Sequence, residues 1–143
     1  MTQTVLCAVD INRPDVEAPV LRRAKQLADL DGAQLDVITV VPDFGASLVG
    51  AYFEEHHVKT AKDSAADLLS KFVADTLGEE TDQKARHIVA VGSVYEEVLK
   101  TASLAGASLI VIGAHSPDFK DYLLGPNASR VVRHSECSVY VVR

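Results

Sequence analysis

The chain has 143 residues, 48% of them apolar and 24% charged, with a formal net charge of −6. That length suits one domain able to bury roughly 70% of its unfolded surface. The acidic balance argues against a nucleic-acid or anionic-membrane surface, both of which need a basic footprint, but leaves room for a local anion site built from backbone amides.

No stretch reaches the ~20 apolar residues of a membrane span, and the first residues, MTQTVLCAVD, lack the basic start of a signal peptide. Two cysteines, Cys7 and Cys137, make no disulfide framework. The expectation is a cytoplasmic protein whose thiols are packing groups.

TVLCAVD (4–10) is a nearly continuous apolar run, typical of a strand buried on both faces. A helix is expected from about Pro14, a suitable first-turn residue, with Asp15 and Glu17 complementing the positive end of the helix dipole. Val16, Val20, Ala24, Leu27 and Ala28 recur at helical spacing, and Asp31-Gly32 closes the segment. AQLDVITVV (33–41) reads as the second strand, ending at Pro42. The connection 42–57, with Gly45, Gly50, Tyr52 and His56-His57, is long for a compact domain and is expected to be functional or mobile.

A second helix is predicted over about 58–77, with Ala61, Ala65, Leu68, Leu69, Phe72 and Val73 as its apolar stripe. KARHIVAV (84–91) has strand composition, and Gly92-Ser93 opens a third helix. There Ser93 and Glu96 fit the reciprocal capping pattern. ASLIVI (107–112) is the fourth strand, a last helix runs from near Gly125 to about His134, and CSVYVV is the fifth strand. Five strands with helices between them imply a parallel sheet covered on both faces, because parallel strands need right-handed crossovers. In such sheets ligands sit beyond the carboxyl ends of the strands, where the strand order reverses.

Three segments follow strand ends and are candidates for a ligand site. Asp10 could accept hydrogen bonds from ribose hydroxyls, or could cap the turn into the first helix. Gly113-Ala114-His115-Ser116 follows the fourth strand; glycine lets backbone approach a phosphate or sugar, but a tight turn explains it equally, and His115 could contact a ligand or bond within the loop. Gly125-Pro126-Asn127-Ala128-Ser129 opens the last helix, whose first amides lack internal partners and favour an anion. Pro126 suits the first helical position because its missing donor would have been one of those free groups. The same features also describe an ordinary helix start.

Other constellations carry less. His56-His57 has no partner at metal-ligand spacing and reads as a solvated pair. No Gly-x-x-x-x-Gly-Lys-Ser/Thr loop and no early Gly-x-Gly-x-x-Gly is present. Ser93 and Ser116 sit in no nucleophile elbow, so dedicated catalysis has little support.

Through VLCAVD at the first strand, TVVP after the second, VGS before the third helix and LIVIGAHS to LLGPNASRVVRHSECSVYVV, the chain resembles the universal stress protein family. The likeness spans essentially the whole chain and is similar to a small single-domain bacterial subgroup. It implies a flavodoxin-like (adenine nucleotide alpha hydrolase-like) α/β three-layer sandwich, with a five-stranded parallel sheet whose strands one and four are neighbours. It further implies ATP or AMP, with Mg as an accompanying ion, in the crevice between those strands.

Carried over residue by residue, Asp10 would face the ribose with Val9 and Ile11 beside the adenine. Backbone groups of Val40 and Val41 would read the adenine edge. Gly113, His115 and Ser116 would lie along ribose and phosphate, and Gly125, Pro126, Asn127 and Ala128 would hold the phosphates. The family pattern is Gly, two residues, Gly, nine residues, Gly, then Ser or Thr. Here Ser116 replaces the second Gly, eight residues (117–124) precede Gly125, and Pro126 replaces the hydroxyl residue. Each lost charge-assisted hydrogen bond costs roughly 1.5–3 kcal/mol, or one to two decades of affinity. The adenosine half of the site is therefore better supported than the triphosphate half.

The resemblance also implies a homodimer through the C-terminal edge strand 138–142, with a tetramer as a further assembly; burial of that strand under the chain's own helices is the alternative. The implied role is a non-enzymatic, nucleotide-binding stress-response and signalling module. Its rivals are a nucleotide-free interaction or chaperone-like protein of the same fold, and slow ATP hydrolysis or autophosphorylation.

Overall fold

The elements follow from the apolar patterning in chain order. The structure, a computed structural model, describes residues 3–41, 54–114 and 125–143, with the backbone alone over 54–59. The strands are β1 (Thr4–Ala8), β2 (Gln34–Val41), β3 (Arg86–Val91), β4 (Leu109–Gly113) and β5 (Ser138–Val142). The helices are α1 (Pro14–Asp31), α2 (Glu54–Leu77), α3 (Glu79–Lys84), α4 (Val94–Ala105) and α5 (Pro126–His134). The strands form one parallel sheet in the order β3-β2-β1-β4-β5.

Every residue of β1 is buried, because the strand is central and covered twice. Val5, Cys7 and Val9 enter one apolar cluster with Val20, Leu21 and Ala24 of α1 and Leu69, Phe72 and Val73 of α2. Leu6 and Ala8 point the other way, into a second cluster with Val98 and Ala102 of α4 and Ala128 and Val131 of α5. This is the expected three-layer sandwich. Cys7 is fully buried, and burial, reinforced by the nearby Glu17 charge, pushes its thiol far above the usual range, so it packs rather than reacts. Cys137 is half-buried and also free.

Several boundaries differ from the sequence expectations. The apolar stripe of α1 begins at Glu17 rather than Val16: Glu17 is 9% exposed and Val16 45% exposed, with Val20, Leu21, Ala24 and Ala28 continuing the buried face. α2 starts at Glu54, four residues before the expected position, and Leu68 lies outside its buried stripe. α3 is an additional helix with no buried residue, so no apolar period announces it.

Ser93 does stand at the N-cap of α4, but its side chain makes no capping bond. The Glu96 carboxylate instead accepts from the Tyr95 hydroxyl at 3.1 Å, which leaves the reciprocal pattern unformed. The turn before it needs glycine, since Gly92 has φ 143°. β5 forms an edge of the sheet, paired with β4 alone among the described strands. It is not covered on both faces, as Tyr140 is 40% exposed. No helix among the described residues is long and apolar enough to cross a membrane.

Candidate functional site

The order β3-β2-β1-β4-β5 sends the chain outward from β1 in both directions, so the crevice opens between the carboxyl ends of β1 and β4, which pair from Val5↔Leu109 to Ala8↔Ile112. A cleft of about 240 Å³ lies there. Its lining includes apolar groups, Ile38 and Val40 of β2 and Val94 and Val98 of α4 among them, and the polar Asp10, Asn12, Arg13, Glu17 and Asn127.

Asp10 sits where β1 turns into α1. Its Oδ1 accepts the Asn12 amide at 3.0 Å and its carbonyl accepts the Arg13 amide at 3.0 Å. It does cap the turn, as one of its two sequence readings had it. Its Oδ2 has no partner among the described residues and remains open to a ligand hydroxyl. The Asp10 amide donates in turn to Glu17 Oε1 at 3.2 Å.

Across the cleft, Gly113 ends β4. A Cβ there would meet Val20 Cγ2 at 3.3 Å and Glu17 Oε2 at 3.5 Å, so a side chain at this position would make the Val20 methyl give by a few tenths of an ångström. Ala114 then donates to the Val142 carbonyl at 2.7 Å and accepts from the Gly125 amide at 2.8 Å, which fixes the start of α5 beside the sheet. Ala128 and Val131 bury the inner face of α5, and the Arg130 guanidinium lies 5.0 Å over the Tyr95 ring of α4.

At that helix start the donors can be counted. The Gly125 amide is spent on Ala114, Pro126 has none, and the Ser129 amide donates to the Gly125 carbonyl at 3.0 Å. Among the described residues nothing caps the amides of Asn127 and Ala128, and the first turn has no acidic residue. Two donors at the positive end of a helix suit one small anion. The Ser129 amide, bonded within the helix, is not among them.

Glu17 is the main feature that the sequence reading passed over as a site residue. Burial, with the Asp10 charge adding to it, raises its carboxyl to about 7, against the lowering effect of the Asp10 amide and Arg13. A charged residue in phase with Val20, Leu21, Ala24 and Ala28 was the signal available in the sequence.

Of the residues singled out in the sequence, Val9, Asp10, Val40, Gly113, Gly125, Pro126, Asn127 and Ala128 all line the cleft. Ile11 packs against the α1–α2 cluster instead. Val41 also lies outside the lining, and its carbonyl accepts the Gly92 amide at 3.0 Å. His115 and Ser116 lie outside the described residues, as do the side chains of His56 and His57. Among the described residues no group of three or more His, Cys, Asp or Glu is arranged to hold a metal.

The whole chain, residues 1–143, matches the universal stress protein family. This chain belongs to that family. It is 31% identical over 149 residues to universal stress protein G of Escherichia coli O157:H7, with 100% of both chains covered. Its fold is similar to that of UspA from Lactobacillus plantarum, with a TM-score of 0.72 at 24% identity, covering 99% of this chain and 97% of the other. Two solved relatives carry nucleotides. One is the Archaeoglobus fulgidus universal stress protein in complex with dAMP, with a TM-score of 0.62 at 22% identity and 99% and 98% coverage. The other is a universal stress protein in complex with cAMP, with a TM-score of 0.64 at 20% identity and 99% and 96% coverage. At these identities the structural likeness supports the flavodoxin-like universal stress protein fold.

Proposed function

We propose that this universal stress protein binds an adenine nucleotide in the cleft between β1 and β4, and that AMP fits it better than ATP. The observation that carries the reading is one cleft that combines apolar lining, an Asp10 carboxylate oxygen without a partner among the described residues and two helix amides likewise uncapped. The adenine lies against Val40, Val94 and Val98, the ribose hydroxyls donate to Asp10, and the phosphate accepts from Asn127 and Ala128. Two amides serve a monophosphate; a longer phosphate chain finds no third donor at Pro126. The dAMP and cAMP complexes of relatives agree in ligand class.

Val9 and Gly113 border the nucleoside. Ile11 and Val41 act behind the cleft, and His115 and Ser116 flank the phosphate. Mg would accompany only the longer nucleotides. The chain works as one domain and as a cytoplasmic homodimer joined along β5, reporting nucleotide level to a partner rather than catalysing a reaction.

Titration calorimetry with adenosine, AMP, ADP and ATP tests this. AMP should bind most tightly, and Asp10→Ala should weaken adenosine and AMP alike by tenfold or more, the scale of one hydrogen bond to an ionised group. Absence of binding by all four at millimolar concentration overturns the reading.

A further inference from the structure

Among the described residues, Glu17 Oε2 is the buried side-chain oxygen with no hydrogen-bond partner. The residue is 9% exposed, so nine-tenths of it is out of water. Its carboxyl is wedged between the two strand ends that build the cleft: Oε1 accepts from the Asp10 amide, and Oε2 lies against Gly113. Glu17 therefore supports the turn that presents Asp10, while leaving one oxygen unmatched in the cleft lining.

The environment is divided over which protonation state to favour. The first turn of α1 and the Asp10 amide favour the ionised form. Burial without a partner for Oε2 favours the neutral form, because an unpaired buried carboxylate is expensive. Among the described residues, the charged and titratable groups acting on Glu17 are Asp10 and Arg13 from the β1–α1 turn, with the Cys7 thiol of β1 beside it. β4 presents only Leu109–Gly113 there, with no titratable side chain, and the first turn of α5 carries no acid.

We propose that Glu17 is a proton-linked positioning residue that regulates the cleft: neutral, it holds the Asp10 turn without adding charge, and ionised, it adds a second negative charge beside Asp10 in the cleft lining and weakens the hold on a bound phosphate. This rests on the nucleotide reading above. The midpoint of about 7 for Glu17 puts the change within the physiological range. A unit charge acting across a partly buried cleft changes affinity roughly tenfold.

The test is AMP affinity of the full chain between pH 5.5 and 8.5, for the native protein and Glu17→Gln. The glutamine retains an oxygen for the Asp10 amide but cannot ionise. The native protein should lose about fivefold more AMP affinity than the variant between pH 6 and pH 8, approaching about tenfold at higher pH. The phosphate's own ionisation near pH 6 is common to both proteins and cancels in the comparison. Adenosine, which has no phosphate, should show a shallower dependence. Parallel AMP profiles overturn the proposal while leaving nucleotide binding intact; no AMP binding at any pH overturns both.

A second measurement needs no variant. By reciprocity, saturating AMP should raise the Glu17 titration midpoint, followed by carboxyl carbon NMR, by about one pH unit. A midpoint unmoved by bound AMP counts equally against the proposal.

Discussion

A carboxyl group inside the first turn of α1 stabilises or destabilises the fold according to pH. Glu17 takes up its proton near pH 7 in the folded chain, against 4.5 ordinarily. Below pH 4.5 it is neutral in both folded and unfolded chains and costs nothing. As pH rises from 4.5 to 7 the unfolded chain ionises first, so stability falls, and above 7 the loss is complete. The full gap corresponds to roughly 3 kcal/mol. Urea denaturation of Glu17→Gln should therefore show the variant gaining about 2–3 kcal/mol on the native protein between pH 5 and pH 8. A difference that stays constant with pH would mean that Glu17 is already ionised throughout. Asp10 and Gly113 were legible in the sequence because each directly follows or ends an apolar strand. Glu17 was legible only as a charge in a buried phase, and its partner Gly113 lies 96 residues away in the chain.

At the scale of single elements, α5 combines two roles in nine residues. Ala128 and Val131 anchor it, and its first turn faces the cleft with two usable amides. Pro126→Ser restores a donor and a hydroxyl at the first helical position. It should strengthen ATP binding by about tenfold, the worth of one added charge-assisted bond, with little effect on adenosine. Calorimetry with the two ligands measures the difference, and equal effects would place Pro126 away from the phosphate path. Strands β1 and β4 could be read from sequence because burial on both faces makes them unbroken apolar runs. α3 could not, since EETDQK buries no side chain. The contribution of α4 to the cleft was also hidden: Val94 and Val98 have the spacing of any buried helix face, and only tertiary packing turns that face toward β2.

For the molecule as a whole, the alternation of strands and helices was enough to indicate a parallel sheet, whereas the neighbourhood of β1 and β4 came from family resemblance rather than from spacing. The sheet leaves β5 as an edge with Tyr140 and, on α5, Val132 exposed beside the last elements of the chain. An unpaired parallel edge favours association with a second copy, and a charge on it disfavours that association. Light scattering should give a dimer for the native protein and a monomer for Tyr140→Lys; a native monomer at micromolar concentration would remove β5 as a subunit contact. One residue connects that edge with the crevice. Ala114 donates to Val142 at the end of β5 and accepts from Gly125 at the start of α5. The end of the edge strand and the start of α5 thus share Ala114 as a hydrogen-bonding neighbour. A subunit contact along β5 and a ligand at the helix start would therefore lie one residue apart in the backbone hydrogen-bond network.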